Sequence, residues 1–155
     1  MINNKGFTLL EVLIAIVVVS IGLLAVAGMQ TIAIRGNASA SEGTIAIQLA
    51  EEMVDRIRLN AGAAPAIYNG LDTNGGTSTT CAGLTAQNDP ALGDCIQWRS
   101  RLQDVNLGLS NARGQVAVTA DSPISKTATI TVTVTWGAVS TRTVQFITIM
   151  ETWLT

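Results

Sequence analysis

Few residues in this chain could do chemistry, and one of them sits where a charge is costly. Glu11 lies inside an apolar run that extends from Phe7 to Met29. As a helix that run spans about 34 Å at ~1.5 Å per residue, enough to cross a hydrocarbon core of ~30 Å. An ionisable group costs up to ~2.5–3.5 kcal/mol at mid-bilayer, and less near the edge where Glu11 falls. A plain anchor would not carry such a residue, so Glu11 needs a reason. Elsewhere the inventory argues against catalysis. There is no histidine, hence no His-based triad or general base. Ser125 and Lys126 are adjacent, and neighbours in an extended segment point apart. No glycine-rich loop opens a helix after a strand, so no phosphate cradle is indicated. Asp72, Asn74 and Asp89 could be argued as calcium ligands, but the downstream glutamate of an EF-hand loop is missing and solvated turn residues are the simpler reading.

Cys81 and Cys95 are the only cysteines. With no histidine beside them they make an incomplete zinc site, and no metal or other cofactor is expected. Lys5 precedes the apolar run, and short basic flanks stay cytoplasmic, which sends the chain after Met29 to the far, oxidising side of the membrane. A Cys81–Cys95 disulfide is expected there as a structural clip. Closing a loop of about 15 residues stabilises by ~3 kcal/mol in the chain-entropy account.

The elements that must position these residues follow from periodicity. From Thr44 to Leu59, Ala46, Leu49, Ala50, Met53, Val54 and Ile57 recur at helical spacing. Gln48, Glu51, Glu52, Asp55, Arg56 and Arg58 fill the opposite, solvated face, and Glu52 to Arg56 is a favourable i,i+4 pair. The stretch reads as the amphipathic continuation of the apolar helix, its apolar face on a sheet. A separate helix after a break is the alternative, because Gly36–Gly43 is a poor helix former. Asn60-Ala61-Gly62, with Pro65 soon after, marks the stop. Residues 61–94 read as a loop pinned by the disulfide. Cys95–Leu102 is either a short strand or a turn of helix. Gln115–Thr119 alternates, and Thr127–Trp136 alternates without a break. In the latter, Ala128, Ile130, Val132, Val134 and Trp136 share one face and five threonines the other. Gly137–Ser140 is a hairpin connection, followed by a strand over Thr141–Trp153 with Val144, Phe146 and Met150 inward. The expected fold class is α+β: a long N-terminal helix, its first half transmembrane, packed on an antiparallel sheet of three or four strands.

Composition agrees. The 155 residues suffice for one membrane helix and one small domain, with 13% charged and 4% aromatic residues. Net charge is −2 and the arginines are scattered, so no nucleic-acid partner is indicated. An ordinary signal peptide is a competing reading, since Ala25-Val26-Ala27 mimics a cleavage site. The run is longer than the usual ~7–15-residue apolar region, and Glu11 interrupts it. A simple single-span anchor also competes and leaves Glu11 without a role.

The segment Lys5-Gly6-Phe7-Thr8-Leu9-Leu10-Glu11 resembles the prepilin peptidase site of type IV pilins and type II secretion pseudopilins. The resemblance implies leader cleavage between Gly6 and Phe7, N-methylation of Phe7 by the same peptidase, and pairing of Glu11 with the Phe7 amine of a neighbouring subunit during assembly. Such pairing offsets the burial of both charges. The expected layout is a leader over 1–6, a transmembrane half-helix over 7–29, an amphipathic half over 30–60 and a periplasmic head over 61–155. The run from Val19 to Gln30 looks most like PilV-type minor pilins. Major pilins commonly place their disulfide near the C-terminus, whereas here the cysteines precede the main hairpin, which favours a minor subunit. The implied partners are the prepilin peptidase, the inner membrane, other minor pilins and the major pilin through the helix, and a large tip adhesin. The implied location is the inner membrane with the head in the periplasm, then the pilus tip. A minor pseudopilin of a type II secretion system is the alternative.

Overall fold

The computed structural model describes residues 8–60, 65–75, 81–82, 84, 90–122 and 127–151. Gly6, Phe7, Asp89, Ser125, Lys126 and Trp153, all weighed above, lie outside these residues. The chain divides into two compact units, Met1–Ala40 and Ser41–Thr155. Helix α1 (Leu9–Leu59) supplies the described part of the first unit and the opening element of the second.

From Leu9 to Met29 the helix is apolar but for Glu11 and Ser20. Leu13, Ile16, Ile21, Leu24 and Met29 are all exposed. Its most apolar window has a mean hydropathy of 2.9, so the helix is long and apolar enough to cross a membrane. Its two hydroxyl side chains of note are satisfied by the helix itself. Ser20 Oγ donates to the Ile16 carbonyl at 2.7 Å and Thr31 Oγ1 to that of Ala27 at 3.1 Å. Away from its ends, a helix bonds its backbone groups within itself, which suits surroundings without water.

Helix α1 runs unbroken through Gly36–Gly43, so the alternative of two helices is not the one adopted. Two glycines, two serines and an asparagine there cost roughly 3–4 kcal/mol of helix propensity relative to alanine. In the second unit the helix regains support through packing. Ala46, Leu49, Ala50, Met53, Val54 and Ile57 are its buried residues, the same stripe that the periodicity marks out.

That stripe shares one core with an antiparallel sheet of order β1-β2-β3-β4, made of β1 (Leu71–Asp72), β2 (Arg113–Ser122), β3 (Thr127–Trp136) and β4 (Arg142–Glu151). Val116 on β2 stands opposite Val132 on β3, which stands opposite Phe146 on β4. Along β3 burial alternates at every residue, with Ala128 to Trp136 inward and the threonines half-covered on the outer face. On β4, Val144, Phe146 and Met150 face inward and are half-buried.

Between the helix and β2 the structure departs from the loop expected over 61–94. It holds a 3-10 turn (Pro65–Tyr68), the two-residue β1, and the first turn of helix α2 (Ala91–Leu102). Cys95–Leu102 is therefore helical. The 3-10 turn and β1 are too short to show a period; α2 buries Ala91, Cys95, Trp98 and Leu102 at helical spacing, and all three are held by distant partners. The Trp98 indole on α2 is fully buried, and its N–H donates to the Leu49 carbonyl of α1 at 2.8 Å. Asp94 accepts from the Tyr68 hydroxyl at 2.6 Å, from the Asn60 amide at 2.7 Å and from Arg56 at 3.1 Å. Glu52 is not the solvated residue expected; it bridges Arg56 and Arg101, each at 2.9 Å. Partial burial works against the Arg56 charge, but the Glu52 and Asp94 carboxylates outweigh it and leave the guanidinium pKa raised. Burial, and then donation to Asp94, push the Tyr68 phenol well above its ordinary value.

The Trp98 ring requires Gly114 on β2. A Cβ built there would lie 2.2 Å from a ring carbon. Overpacking of a core costs about 1–3 kcal/mol. Gly114→Ala is expected to destabilise the second unit by that amount, read from the circular dichroism denaturation midpoint of the full chain in detergent micelles. An unchanged midpoint would show that the indole yields freely.

Candidate functional site

The first turn of α1 positions the acid. Thr8 precedes the helix, and its carbonyl and its Oγ1 both accept from the Glu11 backbone N–H, at 3.0 and 3.3 Å. The Val12 N–H also reaches the Thr8 carbonyl, at 3.3 Å. Thr8 is thus the N-cap and Glu11 the third residue of the helix, the Thr-x-x-Glu spacing of a capping box. A carboxylate in the first turn is also favoured by the positive end of the helix dipole. Sequence reasoning passed over this local role of Thr8, although the spacing ahead of an apolar run was a readable signal.

The Glu11 side chain is exposed, and among the described residues no cation pairs with it. It opens a shallow groove of about 360 Å³ along one side of the helix, shared with Val12, Ala15, Ile16, Val19 and Ser20. Farther along, a Cβ added at Gly22, Gly28 or Gly36 would meet nothing within 4 Å. Among the described residues, then, no close packing demands those glycines.

In the second unit a different cluster joins the cysteines to the sheet. Cys81 and Cys95 are linked by a disulfide with their Cα atoms 6.4 Å apart, and both are buried. Cys95 lies on α2; Cys81 precedes Ala82, which bridges to Asp72 on β1. Arg99, also buried, donates from Nε to the Thr73 carbonyl at 2.8 Å and from Nη2 to the Cys81 sulfur at 3.3 Å. The Thr73 hydroxyl in turn accepts from the Gly114 N–H at 2.8 Å. Asp72 accepts from Arg113 through both carboxylate oxygens, from Gln115 at 3.1 Å and from the Asn74 N–H at 2.8 Å. It is a partly buried ion-paired residue, not a solvated turn residue. Burial alone would raise its pKa; the bonds from Arg113 and Asn74 outweigh that and hold it below the usual carboxylate range.

These arrangements suit pairing and packing more than bond-making. A cavity of about 890 Å³ opens among Gln103, Ser110, Asn111, Arg113, Trp136 and Thr141. Its one charged group, Arg113, is engaged by Asp72. Among the described residues no three His, Cys, Asp or Glu side chains gather closely enough to hold a metal ion. No nucleophile sits beside a base in that cavity.

Residues 1–27 match the family model described as the prokaryotic N-terminal methylation motif. The matched stretch contains Gly6, Phe7, Thr8 and Glu11 and reaches into the apolar part of α1. No curated protein and no solved structure matches the chain. The motif supports a type IV pilin-like or pseudopilin protein, a class that is structural rather than enzymatic. It implies processing by a prepilin peptidase and assembly with other pilins, and with the apolar helix it fits membrane anchoring.

The Asp72 geometry sets a pH dependence. Its pKa is lower in the folded state than in the unfolded chain, so between the two values the unfolded state binds more protons. The contribution is complete above the unfolded value of about 4 and is lost as pH falls through the folded one. Thermal midpoints should fall more steeply on acidification for the parent than for Asp72→Asn, the two curves converging at the acid end. Parallel curves would remove Asp72 from the acid response.

Proposed function

We propose that this chain is a minor type IV pilin, a non-enzymatic structural subunit that helps prime pilus assembly and sits at or near the pilus tip. The observation that carries the reading is the methylation motif over residues 1–27, with Glu11 in the first turn of a helix able to cross a membrane.

The subunit waits in the inner membrane with its head in the periplasm. Prepilin peptidase cuts after Gly6 and methylates Phe7. The new chain start remains a protonatable amine, and it lies at the positive end of a helix dipole, where a cation is disfavoured. A carboxylate from the next subunit relieves this, and Glu11 supplies it. The apolar half-helix then moves sideways from lipid into a bundle of similar helices. Its backbone bonds travel intact within the helix. Ala15, Ser20, Gly22, Ala25, Ala27 and Gly28 permit close helix approach. The glycines left unexplained by the chain's own packing find their use in that bundle. The head presents partner-specific surfaces, with the Cys81–Cys95 region foremost. Likeness to PilV-type subunits suggests action with other minor pilins and a large tip adhesin.

A minor pseudopilin of a type II secretion system is the second reading, favoured by the shared Gly-Phe-Thr-Leu-Leu-Glu-Val opening. Loss of the gene would then abolish protein secretion and leave surface pili intact.

Two measurements test the proposal. Intact-mass and N-terminal analysis of the protein from its host should give a chain beginning at N-methylated Phe7; a start at Met1 or beyond Ala27 rejects it. Glu11→Ala should be processed normally yet recovered in sheared filaments at a tenth of the parental level or less. Parental incorporation would remove the pairing role.

A further inference from the structure

The helical stretch Gly36–Gly43 poses a question that the assembly reading leaves untouched. Five of its eight residues are poor helix formers, and Gly36, Asn37, Ala38 and Ser41 are exposed. Core burial along α1 begins only at Ala46. Between these limits stands Glu42, whose carboxylate Oε2 accepts from the Trp136 indole N–H at 3.1 Å and from Arg142 Nη1 at 2.5 Å. Trp136 is buried at the end of β3, and Arg142 opens β4 directly opposite it. The hairpin joining them starts on a residue that only glycine suits. Gly137 takes a φ of 118°, and a Cβ there would lie 2.1 Å from the Ser140 carbonyl oxygen. The Gly137 N–H donates to the Ser110 carbonyl at 2.8 Å. The acceptor on the helix therefore meets one buried donor, Trp136, and one exposed donor, Arg142, at the two ends of the hairpin.

We propose that Gly36–Ser41 is a weak link built into α1 and that Glu42 is its stop. Helix loss that starts in the link halts at Glu42, because unwinding past it breaks two bonds to the sheet at once. Glu42 thus acts as a positioning residue, marking where the helix becomes part of the second unit. This requires nothing of the filament role, and its test is independent of that role.

Hydrogen exchange by mass spectrometry on the full chain in detergent micelles reads the device directly. In the parent, amides of 36–41 should exchange at least tenfold faster than those of 46–57. Glu42→Ala should extend fast exchange over 42–45, again by at least tenfold, and leave 49–57 and β3 at parental rates. Glu42→Gln, which keeps an oxygen for the indole but loses the charge facing Arg142, should fall between. Slow parental exchange over 36–41 equal to that of 46–57 refutes the link. Unchanged 42–45 in Glu42→Ala refutes the stop. Faster exchange throughout 49–57 and β3 also refutes it, since Glu42 would then be a general support of the core.

Discussion

Leu49, Met53 and Ile57 of α1 are buried in one core with Ile130, Val132 and Val134 of β3. Each such side chain removed from water contributes about 1.5–3 kcal/mol. The sheet depends on this burial, because strands with one threonine-lined face cannot hold together without cover on the other. The helix depends on it equally, since propensity alone does not sustain it beyond Gly43. α2 completes the cover by laying Trp98 on Gly114 and bonding its indole to α1. One tryptophan therefore ties both helices to the second strand.

The same helix answers to a different surrounding in its first half. There the apolar side chains are exposed, the Ser20 and Thr31 hydroxyls are satisfied by the helix itself, and the one acid sits in the first turn behind a threonine cap. A segment of this kind is stable wherever water is excluded. In the proposed assembly it exchanges lipid for neighbouring helices without rearranging its own hydrogen bonds, which keeps the exchange close to neutral in backbone terms. The Glu11 carboxylate then becomes the specific element of an otherwise unspecific apolar contact.

The segment between the helices is secured by polar means. Arg99 holds Thr73 and Cys81 together, the disulfide ties Cys81 to α2, and Arg113 clasps Asp72. Among its described residues Tyr68, Leu71 and Leu84 also reach the core. Directional bonds and a covalent clip add to the order that this burial supplies.

What could be read from residues alone was whatever repeats locally. The helical stripe from Ala46 to Ile57 and the alternation from Thr127 to Trp136 are periods of one element, and the buried faces follow from them residue by residue. The Glu52–Arg56 pair was legible for the same reason, being one turn apart. The acid in the apolar run was legible because a charge there is costly wherever the chain folds. The three-dimensional arrangement alone decided the rest. β1 is two residues long and is held by pairing with Val116 and Gln115 and by the bond of Asp72 to Arg113, all far along the chain. α2 buries Ala91, Cys95, Trp98 and Leu102 along one face, and it is fastened through Trp98 to α1, through Asp94 to the 3-10 turn and through Cys95 to Cys81. Continuity of α1 through its glycine-rich stretch goes with the anchoring of Glu42 to Trp136 and Arg142, across more than ninety residues of sequence. Local periodicity announces faces; contacts between distant residues carry no period, and only the closed chain brings them within bonding distance.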